Sequence, residues 1–194
     1  MQIRSAEFTR SVGADKNYFN SELYEIAVVG KSNVGKSSLI NMLTNNSKLA
    51  RVSKQPGKTR LLNYFLINKE FYLVDLPGYG FARVSKAEKA AWDELMSDYF
   101  SSAEKLRAVI ILMDIRHDPT ADDKAMVALC EFYSIPYIIA ATKADKIAKS
   151  KRKNECARLR RIIPASYDYT VLPVSSDGFG KDELLAEMER KLGE

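Results

Sequence analysis

The sequence predicts an α/β fold: one domain built on a mostly parallel six-stranded sheet, with one antiparallel edge strand and helices on both faces. Short runs rich in β-branched and aromatic residues alternate with helical patterns, as in repeated βα units. Two of these runs are separated by Lys69 and Glu70 alone, which is too short for a parallel crossover and predicts a hairpin. A chain of 194 residues, 46% of them hydrophobic, suits a single domain with a sizeable core.

Six strands and five helices follow from this pattern. The predicted strands are residues 23–29, 61–68, 71–75, 107–115, 136–142 and 170–174, and the predicted helices are residues 36–45, 86–100, 121–133, 151–163 and 181–192. Residues 1–20 lack clear periodicity. They are therefore expected to form an N-terminal arm that precedes a domain of residues 21–194.

The most specific motif stands between the first strand and the first helix. Residues 30–37 read Gly-Lys-Ser-Asn-Val-Gly-Lys-Ser, the spacing of a phosphate-binding P-loop. Its backbone N–H groups can surround the α- and β-phosphates, Lys36 can reach the β- and γ-phosphates, and the Ser37 hydroxyl can ligate Mg²⁺. The same letters can occur by chance in a turn, but their position directly after an apolar strand favours a nucleotide site.

Two further segments are candidates for the phosphate side of this site. Residues 75–78 read Asp-Leu-Pro-Gly at the end of the third strand, where Asp75 can reach Mg²⁺ through water and the Gly78 N–H can meet a γ-phosphate. Residues 55–60 read Gln-Pro-Gly-Lys-Thr-Arg, and Thr59 can close over the nucleotide to ligate Mg²⁺. The alternative is that residues 55–60 form only a turn.

Residues 142–145, Thr-Lys-Ala-Asp, are candidates for base recognition. The Asp145 carboxylate can accept two hydrogen bonds from guanine N1–H and N2–H₂, a pair of donors that adenine lacks. Because an unpaired buried polar group costs about 1–3 kcal/mol, this contact favours GTP over ATP. Lys143 can lay its stem along the base, and residues 174–176 can place a backbone N–H near guanine O6.

The motifs occur in the unpermuted order and approximate spacing of a GTPase domain. They resemble the EngB-type (YihA or YsxC) ribosome-biogenesis GTPases, a branch of the Era/EngA-like translation-factor GTPases. The resemblance covers nearly the whole chain and rests on residues 6–8, 25–39, 56–59, 75–80, 114–117 and 142–145. It implies a single P-loop GTPase domain that binds GTP or GDP with Mg²⁺ and hydrolyses GTP slowly. It also implies a role in maturing the large ribosomal subunit, with a link to cell division and septation.

Two positions depart from the general GTPase pattern. Thr142 stands where most GTPases have Asn, so the amide that ties the base loop to the P-loop is expected to be missing, with modest, micromolar affinity and fast exchange as the result. Tyr79 stands where Ras-like enzymes have the Gln that orients water, so slow isolated turnover is expected. In related GTPases an Asn at the position of Asn33 helps to hold K⁺ beside the phosphates, so K⁺ should stimulate hydrolysis unless Asn33 only braces the loop.

Together these arguments define one predicted site. The predicted catalytic residues are Lys36, Thr59, Gly78 and Asn33, and the predicted Mg²⁺ ligands are Ser37, Thr59 and Asp75. The predicted nucleotide contacts are Gly30, Lys31, Ser32, Asn33, Val34, Gly35, Lys36, Ser37, Gly57, Lys58, Thr59, Arg60, Leu61, Asp75, Leu76, Pro77, Gly78, Thr142, Lys143, Ala144, Asp145, Val174, Ser175 and Ser176.

Basic residues are concentrated between positions 143 and 161, in a chain of net charge +5. This basic run comprises Lys143, Lys146, Lys149, Lys151, Arg152, Lys153, Arg158, Arg160 and Arg161, opposed only by Asp145 and Glu155. It is either a solvated helix face or a surface for rRNA phosphates. In the second case, reversing Lys151, Arg152 and Lys153 to Glu should weaken subunit binding and spare GTP binding.

Residues 79–83, Tyr-Gly-Phe-Ala-Arg, directly follow the γ-phosphate motif. Either this loop reports the nucleotide state to a partner, or Tyr79 and Phe81 pack beneath it. Trp92, in the next helical pattern, is expected to be at least half-buried.

The remaining expectations concern cellular context. The longest apolar run is far shorter than the roughly 18 residues that span a bilayer, and we find no signal peptide or lipidation motif. We expect a monomeric cytoplasmic protein with neither a membrane nor DNA as partner. Two alternatives are a membrane-trafficking-type GTPase and an RNA-binding assembly scaffold in which hydrolysis is incidental.

Overall fold

The computed structural model describes residues 1–13, 22–50, 61–80, 85–163, 165 and 169–193. The strands are β1 (Ala6–Val12), β2 (Tyr24–Gly30), β3 (Leu62–Ile67), β4 (Phe71–Asp75), β5 (Leu106–Asp114), β6 (Tyr137–Thr142) and β7 (Thr170–Pro173). The helices are α1 (Lys36–Thr44), α2 (Lys86–Ser102), α3 (Ala121–Phe132), α4 (Lys149–Ile162) and α5 (Lys181–Gly193), with a short 3₁₀ helix at Ala144–Lys146. All eleven predicted elements are present, with ends within two residues of the prediction.

The strands form one sheet in the order β1-β3-β4-β2-β5-β6-β7. Strand β2 pairs in parallel with β4 and β5, and the parallel pairing continues from β5 to β6 and β7. Strands β3 and β4 pair antiparallel, which confirms the predicted hairpin. Its turn is tight enough that Asn68 and Lys69 both adopt positive φ, 53° and 63°.

The predicted number of strands and the predicted position of the antiparallel edge strand are wrong, because one strand was missed. Residues 6–12 of the expected arm form β1, which pairs antiparallel with β3, so the sheet has seven strands and β3 lies inside it. An edge strand exposed on both faces has no reason to alternate apolar and polar residues, and Val12 is the only residue of β1 that is buried. This is why the periodicity of residues 1–20 did not reveal the strand.

Helices cover both faces of the sheet, as predicted. One apolar cluster joins α2, α3 and α4 to residues such as Ala27, Val29 and Ile111 of the central strands. A second cluster joins α1 and α5 to the alternate residues, such as Ile26 and Val28. Because the central strands are buried on both faces, they appear in the sequence as continuous apolar runs.

The parallel strands β2, β4, β5, β6 and β7 all end at the same edge of the sheet. In an open α/β sheet, ligands bind in the crevice outside these carboxyl ends. The segments that follow these strands hold the predicted P-loop, γ-phosphate motif and base loop, so the fold brings distant parts of the sequence to one place.

Candidate nucleotide-binding site

The P-loop connects β2 to α1 in a conformation suited to anion binding. Asn33 and Gly35 have left-handed φ values of 63° and 109°, and the Val34 N–H donates to Lys31 O at 3.1 Å, which closes the turn. Gly35 is the N-cap of α1, and the first turn of the helix contains no acidic residue. The first N–H groups of a helix have no acceptor within it and carry the positive end of its dipole, so this turn can bind phosphate.

The γ-phosphate motif lies directly against the P-loop. Leu76 N donates to Val28 O at 2.9 Å, Tyr79 N donates to Gly30 O at 3.3 Å, and Ser32 N donates to Tyr79 O at 2.9 Å. These bonds extend the parallel pairing beyond the ends of β2 and β4. A Cβ at Gly78 would lie 3.0 Å from Gly30 O, so this close approach favours glycine at position 78.

Two predicted phosphate and metal residues contact each other. The Lys36 ammonium forms an ion pair with the Asp75 carboxylate, and both side chains are largely buried. A Mg²⁺-bound triphosphate would supply each group with a new partner of opposite charge. The Asp75 carboxylate and the Ser37 hydroxyl are the hard oxygen ligands that Mg²⁺ prefers, so these residues fit the ion.

Thr142 ties the base side of the site to the phosphate side. Its buried hydroxyl lies 2.9 Å from Val34 O in the P-loop and 3.2 Å from Met113 O at the end of β5. The amide is absent, as expected, but the Thr142 hydroxyl makes a bond to the P-loop in its place, and the expected weak affinity and fast exchange stay predictions. A hydroxyl has one proton where an amide has two, so it can donate to only one of these carbonyls at a time.

Asp114 positions the base-loop lysine. Its carboxylate accepts hydrogen bonds from Arg116 Nε and Nη2 at 2.9 and 2.7 Å, and it lies 3.1 Å from Lys143 Nζ. Partial burial would raise the pKa of the Asp114 carboxyl, but the bonds from Arg116 and Lys143 outweigh that effect and hold the pKa well below its usual range. Asp114 is thus charged at all ordinary pH values.

The two predicted base segments lie side by side at the ends of β6 and β7. Val174 N donates to Ala141 O at 2.9 Å and Ala144 N donates to Val174 O at 3.1 Å, which holds the loops together. Asp145 is exposed and paired with Lys146 at 2.8 Å, so its carboxylate is accessible to a base. Ser175 is buried and Ser176 is exposed.

A cavity of about 310 Å³ opens beside the P-loop. Its lining includes Asn33, Asp114 and Lys143. Asn33, the predicted K⁺ ligand, has an exposed side chain and is therefore accessible to an ion.

Tyr79 is held by side-chain contacts with α2 and α3. Its side chain is buried, its hydroxyl donates to Asp123 Oδ1 at 2.7 Å, and its ring packs edge-on against Trp92. Trp92 is half-buried, as expected, and its indole N–H donates to Pro77 O at 3.0 Å. Tyr79 is therefore buried, whereas residues 81–83 of this segment lie outside the described residues, so the two interpretations of the segment stay open.

Some predicted site residues lie outside the described part of the chain. These are Gly57, Lys58, Thr59 and Arg60, together with Phe81 of the loop that follows Gly80. The expected role of Thr59 in binding Mg²⁺ therefore stays a prediction. Leu61 is described and is half-buried just before β3.

Sequence reasoning gave no role to two carboxylates that organise the site. Asp114 holds Lys143, and Asp123 holds both Tyr79 and the start of α3 through a reciprocal cap with Thr120. The cap has a local signal, Thr followed three residues later by an acid before an apolar run. The contact between Asp123 and Tyr79 has none, because 44 residues separate the two.

The cations of the basic run differ in their contacts and in their exposure. Lys143 pairs with Asp114, Lys146 pairs with Asp145, and Arg158 bonds to Asp118, Glu155 and two backbone carbonyls. Arg152 is buried, so the proposed reversal of Lys151, Arg152 and Lys153 would disturb packing at its middle position. The exposed cations on α4 are Lys149, Lys151, Lys153, Arg160 and Arg161.

Comparison with known proteins agrees with this geometry. Residues 25–143 match the family model of the 50S ribosome-binding GTPases. The chain is 44% identical to a probable GTP-binding protein EngB of Oceanobacillus iheyensis, over 98% of each chain. It is 46% identical to a probable GTP-binding protein EngB of Geobacillus sp. (strain WCH70), over 99% of this chain and all of the relative. A crystal structure of a probable EngB superimposes with a TM-score of 0.66 and 26% identity, over 87% of this chain and 98% of that one.

The fold and the family match define a P-loop GTPase, an enzyme that binds GTP and hydrolyses it to GDP and phosphate. Such domains typically use Mg²⁺. At 44–48% identity over most of its length to many such proteins, the chain belongs to the EngB family of GTP-binding proteins.

Proposed function

We propose that this GTPase is a switch in the assembly of the large ribosomal subunit and that its GTP-bound form binds the rRNA of that subunit. The observation that carries the proposal is the match of residues 25–143 to a family described as 50S ribosome-binding GTPases. Exposed cations on α4, beside the base loop, support it because phosphate contacts dominate affinity for RNA. The proposal includes the cytoplasmic, monomeric state and the link to cell division and septation that the resemblance implies.

In this proposal the site residues divide by chemistry. Lys36, Thr59, Gly78 and the P-loop backbone stabilise the phosphates, while Ser37, Thr59 and Asp75 hold Mg²⁺. Asp145 selects guanine, and Lys143 covers the base. The ion pair between Lys36 and Asp75 is exchanged for phosphate and Mg²⁺ when the nucleotide binds.

The first test is co-sedimentation of the purified protein with large ribosomal subunits in the presence of GDP or a non-hydrolysable GTP analogue. Tighter binding with the analogue is expected, since a switch must distinguish the two nucleotides. Absence of binding in both states would remove the ribosomal role and leave the GTPase chemistry intact.

A charge-reversal variant tests the basic surface. Lys149, Lys151 and Lys153 are all exposed on α4, so reversing them to Glu leaves the buried Arg152 in place. Subunit binding should weaken and its salt dependence should flatten, with GDP affinity unchanged. Reversal of three exposed lysines elsewhere, Lys86 and Lys89 of α2 and Lys124 of α3, is the charge-matched control, and equal loss in both variants would show that only total charge matters.

We also propose that K⁺ stimulates hydrolysis through Asn33. The side chain is exposed beside the P-loop, and a cation there could stabilise the charge that develops on the phosphates. The turnover rate should be higher in KCl than in NaCl of equal ionic strength, and Asn33→Ala should abolish the difference. Equal rates of the wild-type protein in the two salts would reject the proposal.

A further inference from the structure

A second concave site lies beside the base loop. The space between α4, β7 and residue 179, here called the α4–β7 groove, has a volume of about 420 Å³. Its lining includes the cations Lys149, Arg152 and Lys153 and the aromatic ring of Phe179. The predicted GTP site does not use this groove.

Arg152 is the most unusual side chain of the groove. It is only 9% exposed, and its guanidinium lies 4.1 Å from the centroid of the Phe179 ring. Its Nε–H is buried and has no acceptor among the described residues. An unpaired buried donor is costly, and a small shift of the guanidinium toward an anion in the groove would relieve that cost by giving this N–H an oxygen acceptor.

Phe179 adds an apolar partner to these charges. Phe179 is 41% exposed although Arg152 stacks on its ring, so part of the side chain is available to a second group. Cations beside an exposed aromatic ring are the combination with which proteins bind single-stranded nucleic acid: the cations contact phosphates and the ring stacks on a base. An acidic peptide would use the cations but not the ring.

We propose that the α4–β7 groove binds one nucleotide unit of single-stranded RNA, with its phosphate at Lys149, Arg152 and Lys153 and its base against Phe179. This inference rests on the proposed function in that it assigns part of the rRNA contact to a defined place. It is more specific than binding to a general basic surface, because it requires contact with an RNA base as well as with a phosphate charge.

The groove is connected to the predicted guanine-binding loop. Ser175 N donates to Phe179 O at 3.0 Å, and Asp177 Oδ1 accepts hydrogen bonds from both the Ser175 hydroxyl and Phe179 N. Hydrogen bonds from Ser175 and Phe179, with a smaller contribution from the charge of Arg152, hold the pKa of the Asp177 carboxyl below its usual value. A base on Phe179 and a guanine near Ser175 therefore share one loop, so each ligand should alter the release of the other.

The stacking contact is tested by a two-by-two comparison. Fluorescence anisotropy would measure the affinity of a labelled single-stranded RNA octamer and of an abasic octamer with the same backbone, for the wild-type protein and for Phe179→Leu. Phe179→Leu keeps an apolar side chain on Arg152 and removes the aromatic face. It should weaken RNA binding about 5- to 100-fold and leave abasic binding unchanged.

Matched variants define the controls. Phe132→Leu removes an aromatic ring that is 78% exposed on α3 and should change neither affinity. The double variant Lys149→Glu and Lys153→Glu should weaken both oligomers and flatten the slope of log K against log salt by about 0.7, since the groove binds one phosphate and each phosphate contact on a single strand contributes about 0.7. Equal effects of Phe179→Leu on both oligomers, or none, would overturn the stacking assignment, as would equally strong competition by polyglutamate of the same charge.

The same variants in the subunit co-sedimentation separate this inference from the proposed function. If the wild-type protein binds subunits and the groove variants bind equally well, the groove assignment is wrong and the ribosomal role stands. If the wild-type protein binds the RNA octamer through the groove but binds no subunits, the groove assignment stands and the ribosomal role falls. RNA should also change the GDP dissociation rate of the wild-type protein and not of Phe179→Leu, and an unchanged wild-type rate would overturn the connection through Ser175.

Discussion

Thr142 joins the two halves of the nucleotide site through a single hydroxyl. Its bond to Val34 O fixes the P-loop relative to the base loop, while Lys143, the next residue, is held by Asp114. Both contacts depend on residues that lie at or just beyond the carboxyl ends of separate parallel strands. The site is therefore positioned by a few polar contacts on a rigid apolar sheet.

Removing that hydroxyl should speed nucleotide release. Thr142→Val keeps the shape of the side chain but loses the bond at 2.9 Å, and a neutral hydrogen bond is worth about 0.5–1.5 kcal/mol. We expect GDP to dissociate about 2- to 10-fold faster, measured by stopped-flow displacement of fluorescent GDP. Thr142→Ser retains the hydroxyl and should behave like the wild-type protein, whereas an unchanged rate in Thr142→Val would show that the bond does not hold the nucleotide.

At the scale of elements, the γ-phosphate motif is held from two sides. The P-loop pairs with it through backbone bonds, and α2 and α3 hold it through the bonds Trp92 to Pro77 and Tyr79 to Asp123. A shift of residues 75–78 on binding a γ-phosphate should therefore be transmitted to both helices.

Trp92 should report the nucleotide state. It is the only tryptophan of the chain, and its indole N–H bonds directly to the γ-phosphate motif. We expect its emission to differ between the GDP complex and the complex with a non-hydrolysable GTP analogue, because the polarity around the indole changes with the motif. The corresponding ATP analogue should leave the emission at its nucleotide-free value, and identical GDP and GTP-analogue spectra would contradict the coupling.

The residues just before β1 attach the start of the chain to the rest of the domain. Ile3, just before β1, is buried in the apolar cluster beneath α1 and α5, and Asn68 of the β3–β4 turn accepts bonds from Arg4 N and Ser5 N. These contacts attach β1 to the domain although its own side chains are mostly exposed.

Truncation of Ile3 tests how firmly β1 is attached. Ile3→Ala removes a buried side chain and should lower the free energy of unfolding by about 2–5 kcal/mol in a urea titration. Arg4→Ala, at an exposed neighbouring position, should change it by less than about 0.5 kcal/mol. Equal stability of Ile3→Ala and the wild-type protein would support an independent arm.

At the scale of the whole molecule, the two ends of the sheet differ in chemistry. The carboxyl ends of the strands hold the nucleotide site, whereas at the opposite end the buried Glu25 begins β2 and accepts a bond from the Tyr99 hydroxyl at 2.8 Å. Burial raises the pKa of Glu25 to about 7, although the bond from Tyr99 acts in the other direction. Glu25 therefore titrates near neutral pH and affects stability far from the site.

This group should make global stability depend on pH. Because the folded-state pKa is above the unfolded value of 4.5, the protonated form favours folding, and the contribution is full below pH 4.5 and is lost as pH rises through about 7. Glu25→Gln cannot ionise, so at pH 8 it should be more stable than the wild-type protein by up to about 3 kcal/mol, with the difference nearly gone at pH 4. Urea titrations at both pH values, with exposed Glu22→Gln as control, would check this, and a pH-independent difference would contradict it.

Local sequence patterns predicted most of the helices and strands. They failed where an element is determined by contacts with residues that are distant in the sequence. The buried strands β2, β5 and β6 appear as apolar runs, and the two residues between β3 and β4 require a hairpin. Strand β1 was missed because an exposed edge strand carries no apolar alternation. The P-loop and base loop were identified from their letters alone, because phosphate and guanine recognition need specific residue types at fixed spacing.

The sequence by itself determined the α/β class, the order of the main elements and the chemical groups of the nucleotide site. Each of these depends on local periodicity or on a short motif. Only the tertiary structure decided that the Thr142 hydroxyl reaches Val34, that Asp114 holds Lys143, and that Arg152 lies buried on Phe179 rather than in solvent. These contacts join residues from separate βα units, and their geometry exists only after the strands have paired and the helices have packed on the sheet.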